Sequence, residues 1–365
     1  MRHYLLVCFF CLLNLVSFSQ QDSVVEDYSE YDNVTYSDAK SKVYCNPKIF
    51  DLSPQRFISL AFDAQLSHSL SVSELGSYSK NNKEAIINEK ANLNYVGGMR
   101  IFANIPVISK NNILWQVGLN YWDVNYQVNN RTLVNPNNLV SNLVIDELQK
   151  GLVTGGLHTT LYKPLNEKQF ILFQGSADLS GNYSIANPQS LNYLRYSAAL
   201  LWGKRPSDRK QWAIGISRTY RVGEMNYIPV VMFNWTSPTR KWGTEILFPA
   251  RVHVRKNFSP GNLLLAGYEL EGQSYRLNSL SDQSKSLELR RGELRFRAEY
   301  QKKLFGFIWG SLQGGYRYNY SYKADYLDND GKEIFRGFFG SQKYAMINNL
   351  DGAFYFQIGI HLVSP

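Results

Sequence analysis

The chain has 365 residues, 39 Lys and Arg against 30 Asp and Glu, a formal net charge of +9, and 25 Tyr, 20 Phe and 7 Trp. A mean hydropathy of −0.31 excludes a protein built from membrane-spanning helices. The positive balance does not point to nucleic acid, because no helix carries a basic stripe, no nucleic-acid motif occurs, and many arginines fall on the polar parity of extended segments.

Residues 1–19 read as a cleaved secretory signal. Arg2 and His3 supply the positive end, Tyr4 to Val16 the apolar core, and Ser17 and Ser19 the small residues before cleavage at Gln20. Cys8 and Cys11 lie inside it, so only Cys45 remains in the mature chain, and neither a disulfide nor a cysteine metal site is expected. Residues 20–50 are polar and acid-rich and read as a flexible periplasmic lead segment.

From residue 51 onward the pattern is alternation. Ile58, Leu60, Phe62, Ala64 and Leu66 share one parity. Leu93, Tyr95, Met99 and Ile101 form the next apolar face, and Ile105 to Asn112, with Pro106, reads as a tight turn before Ile113 to Tyr121. Further segments follow around Val153–Leu161, Ile171–Leu179, Tyr196–Trp202, Trp212–Ile216, Tyr227–Trp235, Glu245–Arg255 and Leu263–Leu270. Short turns alternate with long polar connections, of which Tyr126–Gly151 and Ser321–Leu350 are the longest. Within the first of these, Leu139, Leu143 and Leu148 have helical spacing, for a short helix that enters the lumen or caps the rim.

The clearest stretch is Arg291 to Tyr318. Leu294, Phe296, Ala298 and Tyr300 alternate with Glu293, Arg295, Arg297 and Glu299; after a turn, Ile308 to Tyr318 alternates with Trp309 to Asn319. Each arm has the roughly 9–11 residues needed to cross a bilayer as a tilted strand. Two long arms, a tight turn and a charged inner face fit a transmembrane hairpin. The last segment, Gly352 to Leu362, presents Phe354, Phe356, Ile358, Ile360 and Leu362 on one face. The tally is thirteen strands. Bacterial single-chain barrels have even numbers, so an all-β, antiparallel up-and-down barrel of 12–14 strands is expected, with the miscount between Asn226 and Arg255, where Pro229 and Pro249 interrupt.

Three groups of residues are candidates for function. Arg291, Glu293, Arg295, Arg297, Glu299 and Arg317 fall on lumen parity and form either an internal salt-bridge network or an anion-favouring lumen. Trp115, Trp202, Trp212, Trp235, Trp242 and Trp309 lie near strand ends, where aromatic girdles sit. His158, His253 and His361 are on polar parity, but no Gly-x-Ser-x-Gly or spaced acid makes them catalytic, and their spacing is no better for a metal. No cofactor is expected.

The whole pattern resembles an uncharacterised family of Gram-negative outer-membrane β-barrel proteins. The resemblance is carried by Ser17-Phe18-Ser19-Gln20, Phe57-Ile58-Ser59-Leu60-Ala61-Phe62-Asp63, Phe248-Pro249-Ala250 and Phe354-Tyr355-Phe356-Gln357-Ile358-Gly359-Ile360, and covers residues 50–365. It implies a fold and an outer-membrane location; a monomer, with membrane lipids, lipopolysaccharide and the barrel assembly machinery as partners, is expected. It implies no catalytic residue. The expected role is a pore or transporter for small polar solutes, with anions as the finer expectation. The alternatives are a closed structural or adhesion barrel acting through its loops, and a lipid hydrolase at the rim.

Overall fold

The computed structural model describes residues 49, 51–74, 86–134, 142–183, 194–220, 226–278, 286–326 and 344–363. The signal and nearly all of the lead segment lie outside the described residues. One sheet contains β1 (Arg56–Gln65), β2 (His68–Ser73), β3 (Ile87–Lys110), β4 (Ile113–Leu133), β5 (Leu152–Pro164), β6 (Gln169–Gly181), β7 (Arg195–Ser207), β8 (Lys210–Thr219) and β9 (Asn226–Thr236). It continues through β10 (Trp242–Phe248), β11 (Arg251–Ser259), β12 (Asn262–Leu277), β13 (Leu287–Phe305), β14 (Ile308–Tyr326), β15 (Met346–Ile347), β16 (Asn349–Leu350) and β17 (Ala353–Val363). The sheet closes where β1 pairs antiparallel with β17, from Arg56↔Val363 to Gln65↔Tyr355. β1 and β2 occupy one position in the wall and β15 to β17 another, so the cylinder has 14 strands. Closure leaves no free edge around the lower wall, which is what a sheet needs to sit in lipid.

Period-two patterning dictates the faces. In β17, outward Phe354, Phe356, Ile358, Ile360 and Leu362 are exposed, and every residue between them is buried. In β13, Phe296, Ala298 and Tyr300 point out while Arg295, Glu299 and Gln301 are buried. The short turns gather at one end, here the turn end. Trp115, Trp202, Trp235 and Trp242 are exposed there near their strand ends, and Trp212 is half-buried with its ring edge-on to Trp202. Lys256 and Lys204 lie over Trp242 and Trp202. Trp309 is the exception and is corrected: it is buried in the lumen against Leu263, Leu265 and Val363. Its parity, shared with Ser311, Gln313 and Arg317, already turned it inward. Toward the opposite, loop end the outward belt is tyrosine, with Tyr196, Tyr227, Tyr318 and Tyr320 exposed.

The strand count resolves between Asn226 and Arg255. The run Glu245–Arg255 is two strands, β10 and β11, joined by a turn at residues 249–250. Pro249 sits in that turn. Pro229 sits on β9 above the last β9–β10 pair, Val231↔Phe248, on an edge where no donor is missed. Ile105 to Asn112 is not a turn as a whole: β3 runs to Lys110, and Pro106 is accommodated at a bulge beyond the end of the β1–β3 ladder.

The two longest connections are shorter than the sequence suggests, because β4 continues to Leu133 and β14 to Tyr326. Here the inner face changes from charged to apolar, which removes the contrast that makes alternation visible. A helix, α1 (Asn142–Gln149), follows β4, and its Val144, Ile145 and Leu148 pack into this layer. The helix packs into the loop-end layer through Leu148 of its predicted stripe; Leu139 and the side chain of Leu143 lie outside the described residues. With Leu70, Leu93, Val124, Tyr126, Leu152, Tyr275, Leu277, Leu287, Leu289, Tyr322 and Met346, among others, it forms an apolar layer across the loop end.

Candidate functional site in the lumen

Below that layer the lumen has two unlike halves. The wall formed by β1, β3 and β11 to β14 is ionic. Asp63, fully buried on β1, receives Arg317 Nη2 at 2.5 Å on both carboxylate oxygens. Arg100 Nε stands 3.3 Å from Asp63 Oδ2, and its Nη1 donates to Glu271 Oε1 at 2.8 Å. Arg295 also pairs with Glu271. Arg291 Nη2 stands 2.6 Å from Glu293 Oε2 as an ion pair. Nearer the turn end, Arg297 bridges Glu269 and Glu299, and Arg56 Nη2 reaches Glu299 Oε1 at 2.5 Å. His253 Nε2 lies 3.3 Å from Glu269, and Arg255 pairs with Glu245. The guanidiniums of Arg295 and Arg317 also lie over the Tyr355 ring, at 5.0 and 4.5 Å.

All six residues of the candidate charge cluster meet here. Each of Arg291, Arg295, Arg297 and Arg317 has a carboxylate, so this half of the lumen is a packed ion-pair network. Such burial costs each ion solvation, and mutual pairing offsets it only when every member is matched. Three of the matching acids, Asp63, Glu269 and Glu271, were missed from the sequence because they pair across strands rather than along one. Glu269 and Glu271 do sit on the polar parity of β12, and Asp63 is the single acid in β1.

The wall formed by β4 to β9 is different. A cavity of about 700 Å³ lies against it. Asn120, Gln174, Ser176, Ser197, Ser217 and Thr219 supply its hydroxyls and amides, and Arg100 and Glu271, paired to each other, mark its border with the ionic half. His158 lines the cavity, stacked on Phe102 with centroids 4.8 Å apart. Toward the turn end an apolar layer of Leu114, Tyr162, Phe170, Leu201, Val230 and Met232 lies beneath it. Phe170 fits because Gly203 has no side chain: a Cβ there would stand 2.4 Å from Phe170 Cζ.

His361 lies elsewhere, between Ser311 Oγ at 2.7 Å and Ser59 Oγ at 2.9 Å. It has no carboxylate on either ring nitrogen and is buried in the ionic half, away from the rim. Among the described residues no group of His, Cys, Asp and Glu is set to hold a metal ion.

A closed antiparallel 14-strand cylinder, with an apolar outer belt between aromatic ends and a polar interior, defines a transmembrane β-barrel of the outer-membrane type. The chain belongs to the family described as "Domain of unknown function (DUF6268)", whose model matches residues 61–363. No curated protein is similar enough to this chain to count as a match. Among solved structures, it is similar to the COG4313 outer membrane channel from Pseudomonas putida F1, at 11% identity over 87% of this chain and 98% of that one, TM-score 0.32. It is also similar to a Pseudomonas aeruginosa FadL homologue, at 10% identity over 84% and 90%, TM-score 0.35. A third is the outer membrane protease OmpT from Escherichia coli, at 5% identity over 87% and 100%, TM-score 0.32.

Proposed function

We propose that this protein resides in the outer membrane of a Gram-negative bacterium and gives gated passage to small, uncharged polar solutes along the β4–β9 wall. The observation that supports this is the cavity of about 700 Å³ faced with serine, threonine, asparagine and glutamine. Such a wall exchanges a solute's water hydrogen bonds for its own without imposing a charge preference. The charge cluster lends anion preference less support, because Arg291, Arg295, Arg297 and Arg317 are matched by carboxylates. The apolar layers at both ends make the path gated rather than open.

Liposome swelling with a neutral sugar, alongside conductance in a planar bilayer, tests this reading. Sugar entry, with a small conductance and no anion shift in reversal potential, is expected. Arg295→Gln with Arg297→Gln should leave the reversal potential where it was. Impermeability to every solute would overturn passage. It would leave the second reading, a closed barrel acting through its loops, which the apolar layer at the loop end favours. In either case we propose a monomer in contact with membrane lipids and lipopolysaccharide, inserted by the barrel assembly machinery.

A further inference from the structure

The wall of this barrel is uneven in height. The β9–β10 ladder stops at Val231↔Phe248, whereas β8 and β9 stay paired up to Thr219↔Asn226. On the other side the β11–β12 ladder stops at Arg251↔Glu269, with one further bond from Leu270 N to Ala250 O at 2.8 Å, whereas β12 and β13 stay paired up to Leu277↔Leu287. Above the turn at residues 249–250 no ladder joins β9 to β12 among the described residues.

β12 instead meets β6, in the parallel sense, at Arg276↔Gly181, and Asn182 N donates to Arg276 O at 3.1 Å. That contact seals the apolar layer from the side. It leaves the tops of β7 to β9 outside the seal, and Arg195 at the start of β7 reaches Glu288 on the outward parity of β13, 2.8 Å away. The wall therefore has a notch two strands wide, and the cavity runs to it. Phe248, Pro249, Ala250 and Leu270 line the cavity at this point, yet Phe248 is 52% exposed on the outward face. Tyr227, on β9 beside the notch, belongs to the outward tyrosine belt, which marks the height of the lipid headgroups.

We infer that this notch is a side mouth, through which the cavity takes an uncharged amphiphile, polar head first, from the outer face of the membrane. The chemistry changes along the path in that order. The rim is Phe248, Pro249, Ala250 and Leu270, apolar and at the edge of the lipid-facing belt, with the exposed Arg251 beside them. The depth is Ser176, Ser197, Ser217, Thr219, Asn120 and Gln174, all uncharged hydrogen-bonding groups. The apolar part of the rim gives a purely polar solute no partner, and the hydroxyls and amides at depth offer a head group hydrogen bonds without a counter-charge. Axial entry is closed by the apolar layer. The inference rests on the proposed passage for its cavity, and adds the route and the apolar tail.

The test uses the full mature chain in lipid vesicles, with Cys45→Ser and Ser217→Cys, so that one thiol reports from the cavity. Labelling by an uncharged maleimide is followed with octyl glucoside, below its micelle concentration, or glucose as competitor. At least tenfold slowing by octyl glucoside, with glucose at the same concentration without effect, is expected. Ala250→Trp, or Leu270→Trp should the first variant fail to fold, should slow labelling similarly without competitor, while a thiol at Thr239→Cys on the turn end keeps its rate. Equal protection by glucose, or a tryptophan at the mouth that changes nothing, overturns the side mouth while sugar swelling can still uphold passage. A thiol at 217 that stays unlabelled when folded but reacts when unfolded also overturns it. Protection by octyl glucoside in a barrel that passes no solute keeps the mouth and sinks the passage.

Discussion

Asp63 is the residue on which the ionic half turns. It is fully buried and is approached by Arg317, Arg100 and Arg295. Asp63→Asn keeps the shape but removes the charge that three guanidiniums share. Breaking a buried network by deleting one partner costs about 3–5 kcal/mol, and urea unfolding in lipid should show a loss of that order. Phe296 tests the opposite face. It is 48% exposed on the belt, and Phe296→Arg should cost about 2–4 kcal/mol near mid-membrane, read by the same unfolding measurement. The contrast also shows what single residues revealed in advance. The outward place of Phe296 and the inward place of Arg295 follow from parity alone. The partners of Arg295 do not, because register between strands far apart in sequence is set by closure of the whole cylinder and leaves no trace in local spacing.

At the scale of elements, strands were legible where one face meets lipid and the other meets charge, as in β13, β14 and β17. They were not legible where both faces are buried or apolar. Residues Leu287 to Glu293 of β13 are all buried, and the alternation that marks Leu294 to Tyr300 is gone there. β10 and β11 merged in the sequence because the turn at Pro249 and Ala250 lies inside an unbroken apolar run, Ile246 to Ala250, with no polar residue to mark it. The turn-end layer is an element-scale device of another kind. Tyr162 at the end of β5 and Phe170 at the start of β6 stack with centroids 5.0 Å apart across their own hairpin. If this layer limits passage, Phe170→Ala should raise single-channel conductance in a planar bilayer without changing ion selectivity, since an apolar side chain sets width and not charge.

For the molecule as a whole, the closed ladder predicts a folded form that survives cold detergent. Unheated protein should migrate faster on a denaturing gel than heated protein, and Asp63→Asn should lower the temperature at which the fast band disappears. Fold class and face orientation were present in the sequence because they depend on period and length. The cavity was not, because it arises from the difference between two walls: small neutral side chains on β4 to β9 against long paired ones on β11 to β14. Serines at 176, 197 and 217 look unremarkable one at a time. They become a surface only when β6, β7 and β8 lie side by side, as the pairings Ser176↔Ser197 and Ala199↔Ser217 place them.

The apolar layer at the loop end also sets an order in time. Its members come from β2 to β5 and α1 on one side and from β12 to β16 on the other, with β7 to β11 contributing none. From Leu152 to Tyr275 the chain makes an excursion of about 120 residues before the layer's second half arrives, and long loops close slowly and late. Until then Leu70, Leu93, Val124 and their neighbours have only one another and α1 to pack against. A barrel whose closure were a separate plug could insert first and be filled afterwards. Here all of the stopper but α1 is made of the staves, so the C-terminal strands complete the wall and the seal in a single step.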